Sequence, residues 1–526
     1  DETTVALICY GDSFRENGQP PLKVLNTFLN EYLRDSVSTV HLLPFFPFSS
    51  DDGFSVIDYK AVNPAWGDWS DIATIGEKFG LMFDAVVNHI SAQSEWFREY
   101  LNGNPEYTGF FIETDPETDL RAVTRARSHP LLTAFQREGQ AIHLWTTFSA
   151  DQIDLNFLNP EVLLRMLDVL LFYAARSVKI IRLDAIGHAW KEPGTSCLNL
   201  PGAHLLVQIF RAVLDRVFPD VLLLTETNVP HAENIRYFGD GRAEAQLIYQ
   251  FPLAGLVVHS FQCGNAVKLT NWAQTLELNS DSCAYFNLLA SHDGIGVRPL
   301  LGILNSDEIE ALVRQTRSHG GYVSYKTNGD GAGDPYELNI TLFDILAEPE
   351  LDEDVNIRRF ITAHAILLAL PGIPALYYHS LFGSSGNHST VKETGQKRAV
   401  NRRKFNLAEL EKELADPHSR TARIFSELKK LIAVRKSQPA FNPYRPAKIV
   451  TLTEQLFAVL RTTPYQKSTI LTIHNLSAQT IQFRIPVGAL PVNCGSLKNL
   501  FTGEKISLNE TIGIAAFGFT WLACSD

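Results

Sequence analysis

The chain has 526 residues, 45% hydrophobic and 20% charged, so a large core with added domains is expected. Its 46 Lys and Arg against 58 Asp and Glu give a net charge of −12, spread along the chain. That balance offers no footprint for nucleic acid or an anionic membrane, and no apolar run approaches the roughly 20 residues of a membrane span.

The six cysteines, Cys9, Cys197, Cys263, Cys283, Cys494 and Cys524, show no CxxC pair. They read as free, mostly buried thiols of a reducing compartment. The opening Asp1-Glu2 has no signal-peptide pattern and leaves room for upstream processing. A cytoplasmic monomer or homodimer acting on a small molecule is expected.

Eight short apolar runs read as buried strands: 5–10, 39–44, 81–88, 178–185, 221–226, 246–251, 284–292 and 373–378. Runs apolar on both faces suit a parallel sheet covered by helices, and helical stretches at 160–177, 202–217 and 358–370 separate several of them. The predicted fold is α/β, a (β/α)8 TIM barrel. It takes residues 1–89, 158–294 and 352–445. Two gaps are too long for ordinary loops and read as inserted subdomains, 90–157 after strand three and 295–351 after strand seven. Gly320-Gly321 and 328–333 in the second read as mobile turns. Residues 446–526 change to short alternating runs at 448–452, 456–461, 469–474, 481–485 and 517–524, a C-terminal antiparallel β domain.

Ionisable residues close several strands where a core would stay apolar. Asp84, Asn88 and His89 end the third, Arg182 and Asp184 the fourth, Glu226 the fifth, and His292 and Asp293 the seventh. Residues two apart on a strand share a face, so Arg182 should lie beside Asp184 and keep it ionised. Three carboxylates at one barrel mouth suit glycosidic chemistry, one attacking the anomeric carbon and another serving as acid and base. Carboxyl groups on adjacent strands four and five could lie roughly 5 Å apart, as retention requires. Clustered Asp, Glu and His could also hold a metal, but Arg182 and Arg402 are awkward neighbours for a cation. No metal and no cofactor is expected.

These four segments, in this order and at these strand ends, resemble the signature regions of the α-amylase superfamily. The resemblance implies Asp184 as nucleophile, Glu226 as acid/base and Asp293 as the residue gripping sugar hydroxyls at the transition state. Arg182, His89 and His292 would bind the glucosyl unit. The stretch 41–48, Asp51-Asp52-Gly53-Phe54, the stretch 191–197, 292–296 and Asn401-Arg402 are similar to the sucrose phosphorylase branch. There, residues matching Asp51 and Arg402 close the pocket around a single glucosyl unit.

By the same resemblance Arg127, in Arg125-Ala126-Arg127, would bind phosphate, and Tyr336 would alternate between phosphate and acceptor. Phe148 resembles the branch's sugar platform, and Gln152 joins the expected substrate-binding set. Trp96 and Trp145 read equally as packing. His188 stands where sucrose phosphorylases usually carry tyrosine, and Thr227-Asn228 also departs from them. Both look like relatives using glycerate, glycerol or phosphorylated sugars. Asp84 and Asn88 read as structural, and Lys191-Glu192 as a loop cap.

The implied reaction transfers a glucosyl unit from a small glucoside to inorganic phosphate, giving α-D-glucose 1-phosphate. Between Asp330 and Glu337 the second insertion has no Lys or Arg, and it carries Asp334. Acidic groups suit hydroxyls, so the acceptor expected first is a glycerol-like neutral polyol, with 2-O-α-glucosylglycerol as substrate. Lys326 could reach a carboxylate, which makes glucosylglycerate the alternative, followed by sucrose and sucrose 6'-phosphate. An α-glucosidase or transglucosidase would use the same trio without phosphate. A non-catalytic scaffold of this fold usually lacks the trio and carries a membrane anchor.

Overall fold

The computed structural model describes residues 1–125, 127, 129–277, 281–327, 333–491 and 494–525. Eight strands close into a barrel: β1 (Ala6–Cys9), β2 (Thr39–Leu42), β3 (Gly80–Val86), β4 (Val178–Asp184), β5 (Leu222–Thr225), β6 (Leu247–Tyr249), β7 (Ala284–Leu288) and β8 (Ile373–Tyr377). Each pairs in parallel with the next, and β8 returns to β1. The strands are buried on both faces, β4 exposing only Lys179, which is why they read as continuous apolar runs.

The helices between strands carry the expected start signals. Asn159 caps Pro160–Ala174, its side chain accepting from the Glu161 amide, with Pro160 at the first position. Val162, Met166, Val169 and Tyr173 then bury one stripe. The last barrel helix, Glu353–Ala369, starts five residues before the expected 358 and is buried from Phe360 to Ala369. It is covered by Arg420–Lys436 on one side and the C-terminal sheet on the other, and Thr362 donates to the Phe517 carbonyl.

Both insertions fold back on the strand ends. In the first, Gln152–Asp154 pairs antiparallel with His89–Ser91, opposing His89 to Asp154. In the second, Ile295–Gly296 pairs with Leu338 and Glu337, on the hairpin Tyr322–Thr327 with Gly333–Asn339. Glycine is needed twice here. A Cβ on Gly294 would lie 2.4 Å from the Leu338 carbonyl oxygen, and one on Gly296 2.7 Å from Asn228 Oδ1. Gly320 ends the helix Ser306–Ser318 region with φ +82°, while 328–332 of the second expected turn lie outside the described residues.

Beyond Pro446 the described residues form a six-stranded antiparallel sheet in the order Ala447–Val450, Leu456–Thr462, Thr469–Asn475, Phe519–Ser525, Ser496–Asn499, Lys505–Ser507. Here the expectation of six free thiols fails. Ser496–Asn499 pairs with Phe519–Ser525, which brings Cys494 and Cys524 together as a disulfide with Cα atoms 5.3 Å apart. Cys9, Cys197 and Cys283 are buried and Cys263 is exposed. Among the described residues no helix is long and apolar enough to cross a membrane.

Candidate active site

The strand ends converge at one barrel mouth. Arg182 on β4 is buried and lies 2.6 Å from Asp184 Oδ1 through Nη1. The same nitrogen also contacts Asp84 on β3, and the other Asp84 oxygen lies 2.7 Å from His41 Nε2 on β2. Asp84, read from the sequence as structural, thus shares one guanidinium with Asp184.

That sharing weakens the hold of Arg182 on the Asp184 charge. Burial raises the Asp184 pKa to about 8, and the charges of Glu226 and Asp84 add to it against the opposing Arg182. Glu226, after β5, is likewise pushed up by burial. The Ala185 amide donates to its Oε2 at 2.9 Å, which ties the Glu226 carboxyl to the backbone next to Asp184. Two buried carboxyls this close titrate as a pair and share one proton. The Arg182 contact is made to Asp184, which favours the charge there and the proton on Glu226.

Asp293, after β7, behaves oppositely. Its burial is overcome by the guanidinium charges of Arg398 and Arg402, which hold it well below the usual carboxylate range. Arg398 Nη1 lies 2.5 Å from Asp293 Oδ1, and its Nε and Nη2 donate to the two Glu337 oxygens at 3.0 and 2.7 Å.

Around this centre Arg402 closes a ring. It donates to the His292 carbonyl at 3.0 Å, to Asp52 at 2.7 Å and to Asp51 at 3.2 Å. Asp51 and Asp52 both adopt positive φ, 52° and 48°. Gln152 Nε2 lies 3.5 Å from Asp51 Oδ2 and 3.2 Å from His89 Nε2. His292 stacks on Phe54 at 4.7 Å. Burial pushes His89 down to about 4 and His292 to about 3, so both rings are neutral and able to bond to hydroxyls.

A cavity of about 610 Å³ opens above, lined by Asp51, Arg127, Phe148, Gln152, Tyr336 and Arg398 among others. Arg127 Nη2 is 3.9 Å from Asp51 Oδ2. The Phe148 ring stands between His89 and His188, at 5.2 and 5.4 Å. A smaller cavity that shares Phe148 and Tyr336 is lined by Glu226, Asn228, His188, Arg125 and Arg298.

Three expected binding residues sit differently. Lys326 and Asp334 pair with each other at 3.5 Å across the hairpin. Lys326 faces a neighbouring groove that Glu226 does not line. Glu337 is buried, its carboxylate taken up by Arg398. Lys191 is no loop cap: it is buried, 2.7 Å from Asp154 and 2.5 Å from Asn88 Oδ1. Trp145 packs with Val123, Leu131 and Cys197, and Trp96 against Tyr59 and Phe110, so neither is offered to a sugar. Arg398 and Arg298 were not foreseen. In sequence, the run Lys397-Arg398 before Arg402-Arg403 reads as a solvated charged face.

The α-amylase catalytic-domain family model matches residues 30–314. The chain belongs to the α-amylase family. It is a glycoside phosphorylase of the sucrose phosphorylase branch. The glucosylglycerate phosphorylase of Allomeiothermus silvanus is 53% identical over 86% of this chain and 82% of that protein. The one from Escherichia coli is 48% identical, over 88% and 83%. The glucosylglycerol phosphorylase of Marinobacter adhaerens is 28% identical, over 84% and 88%. Among solved structures, the sucrose 6F-phosphate phosphorylase of Thermoanaerobacter thermosaccharolyticum superposes with a TM-score of 0.79 at 27% identity, covering 90% of this chain and 94% of that one. In this phosphorylase the two cavities that share Tyr336 differ in their cations, Arg127, Lys397 and Arg398 in one and Arg125 and Arg298 in the other.

Proposed function

We propose that the chain is a 2-O-α-D-glucosylglycerate phosphorylase, converting the glucoside and phosphate to α-D-glucose 1-phosphate and glycerate with retained configuration. The observation that carries it is the likeness to glucosylglycerate phosphorylases at 53% and 48% identity, against 28% for the glucosylglycerol enzyme. The case for glycerol rested on an acidic loop. Asp334 is neutralised by Lys326 and Glu337 by Arg398, so that loop presents little free negative charge to an acceptor.

In this reading Asp184 attacks the anomeric carbon while Glu226 gives its proton to the departing glycerate oxygen. A phosphate oxygen then attacks the same carbon, the bond to Asp184 breaks, and the proton of the attacking hydroxyl returns to Glu226. Arg127 and Tyr336 bind the phosphate. Asp51, Gln152, His89, His292 and Arg402 hold the glucosyl unit in a closed pocket, with Phe148 and His188 beside it. Asp293, kept ionised by Arg398, holds sugar hydroxyls as positive charge builds on the ring. Glucose 1-phosphate is an anion retained by membranes, consistent with a cytoplasmic site of action.

The test is synthesis from glucose 1-phosphate offered to D-glycerate, glycerol, fructose and fructose 6-phosphate in parallel. The reading expects D-glycerate to give the highest kcat/KM. A preference for glycerol would overturn it.

A further inference from the structure

In a 2-O-linked glucosylglycerate the carboxyl carbon is bonded to the carbon that bears the bridging oxygen. The carboxylate therefore lies within roughly 3 Å of the oxygen that Glu226 protonates. A cation that reads it is expected close to Glu226. A buried carboxylate without one is costly.

Lys326, the lysine that sequence singles out, does not meet this condition. It lines the neighbouring groove and is engaged with Asp334. Two arginines do line the cavity with Glu226, Arg125 and Arg298. Arg125 already donates to the His129 carbonyl. The Arg298 guanidinium makes no ion pair or side-chain hydrogen bond with any described residue, and Glu226 is the only carboxylate among the residues lining that cavity.

The mounting of Arg298 is rigid. The Val297 amide donates to the Tyr336 carbonyl at 3.0 Å and the Leu301 amide closes a turn on the Arg298 carbonyl at 3.1 Å. Pro299 follows. Two residues before Arg298, Gly296 packs on Asn228, which lines the same cavity and whose buried Oδ1, an acceptor for a hydroxyl, has no partner among the described residues. A guanidinium with its fork free is the natural mate of a carboxylate.

We propose that Arg298 binds the glycerate carboxylate and sets the preference for glycerate over glycerol, with Asn228 receiving a glycerate hydroxyl. This rests on the reading that glycerate is the acceptor. Glycerol would leave the guanidinium facing a neutral alcohol, and losing a charged partner in a dry pocket discriminates strongly.

The test measures synthesis kinetics with D-glycerate and with glycerol for the wild type, Arg298→Gln and Arg298→Lys. The glycerate-over-glycerol ratio of kcat/KM should fall about 50-fold in R298Q, mainly through the glycerate KM. R298K should recover part of it. An unchanged ratio in R298Q overturns the assignment. So does an equal rise in the KM for glucose 1-phosphate, which would make Arg298 a phosphate ligand. If the wild type itself uses glycerol and not glycerate, it is the functional reading that fails, whatever the variants do.

Discussion

Arg398 grips Glu337 through two parallel hydrogen bonds of 3.0 and 2.7 Å. Its third nitrogen lies 2.5 Å from Asp293. A hairpin of the second insertion is thus fastened to the carboxylate expected to stabilise the transition state, and Lys397 reinforces it by donating to the Val323 carbonyl at 2.7 Å. Tyr336 neighbours Glu337, so the fastening also fixes where the tyrosine stands.

Removing the Glu337 carboxylate leaves a buried guanidinium half-paired. Glu337→Ala should cost about 3 kcal/mol in denaturant unfolding, the scale of a broken buried pair. Activity in either direction should fall by about 10-fold or more as Arg398 shifts on Asp293. Wild-type stability and kinetics in this variant would show that the latch is idle.

Asp184→Ala should abolish phosphorolysis and synthesis together, by at least about 10³-fold, because no other carboxylate can take the anomeric carbon. Arg182 keeps Asp84 as its partner, so the fold should survive. A variant that unfolds at the wild-type temperature yet retains activity would mean that the nucleophile is misassigned.

The proton shared by Asp184 and Glu226 bears on stability as well. Burial raises both carboxyls, so the pair, with its proton resting on Glu226, binds that proton more tightly folded than unfolded. Stability from the shared proton is complete below about pH 4 and is lost as pH rises through the raised value of the pair. Asp184→Asn, which keeps the shape without the charge, should therefore raise Tm over wild type at pH 8, with a gain that shrinks toward pH 5. Thermal unfolding at the two pH values checks it, and a gain independent of pH would contradict it.

Arg127 is the phosphate candidate whose nearest anion, Asp51, is 3.9 Å away. Arg127→Ala should raise the KM for inorganic phosphate about 30-fold, the cost of removing one charge-assisted contact. The glycerate KM in synthesis should change less. Equal changes in both would place Arg127 outside the phosphate site.

Much of the barrel was legible because its physics is local. Doubly buried strands must be apolar throughout, so β1 to β8 stood out as runs with polar ends, and Asn159-Pro160 announced a helix start. The carboxylates were legible for the same reason, since Asp184, Glu226 and Asp293 interrupt apolar context at strand ends. The hairpins Leu132–Arg137 with Gln140–Trp145 and Tyr322–Thr327 with Gly333–Asn339 were not. They sit half-exposed in the insertions, where alternation is weak, and their pairing is held by contacts distant in sequence.

The barrel, the order of the candidate catalytic carboxylates and the resemblance that assigns them roles are thus all legible along the chain. How charge is distributed among those carboxylates follows from the fold. It set Arg182 between Asp84 and Asp184, made Glu337 the mate of Arg398, paired Lys326 with Asp334, and put Arg298 in a cavity that Glu226 also lines. It also joined Cys494 to Cys524. The reason is one of range. Burial and periodicity are written in neighbouring residues, whereas an ion pair depends on which loops meet, and a free arginine and a paired one look the same in sequence.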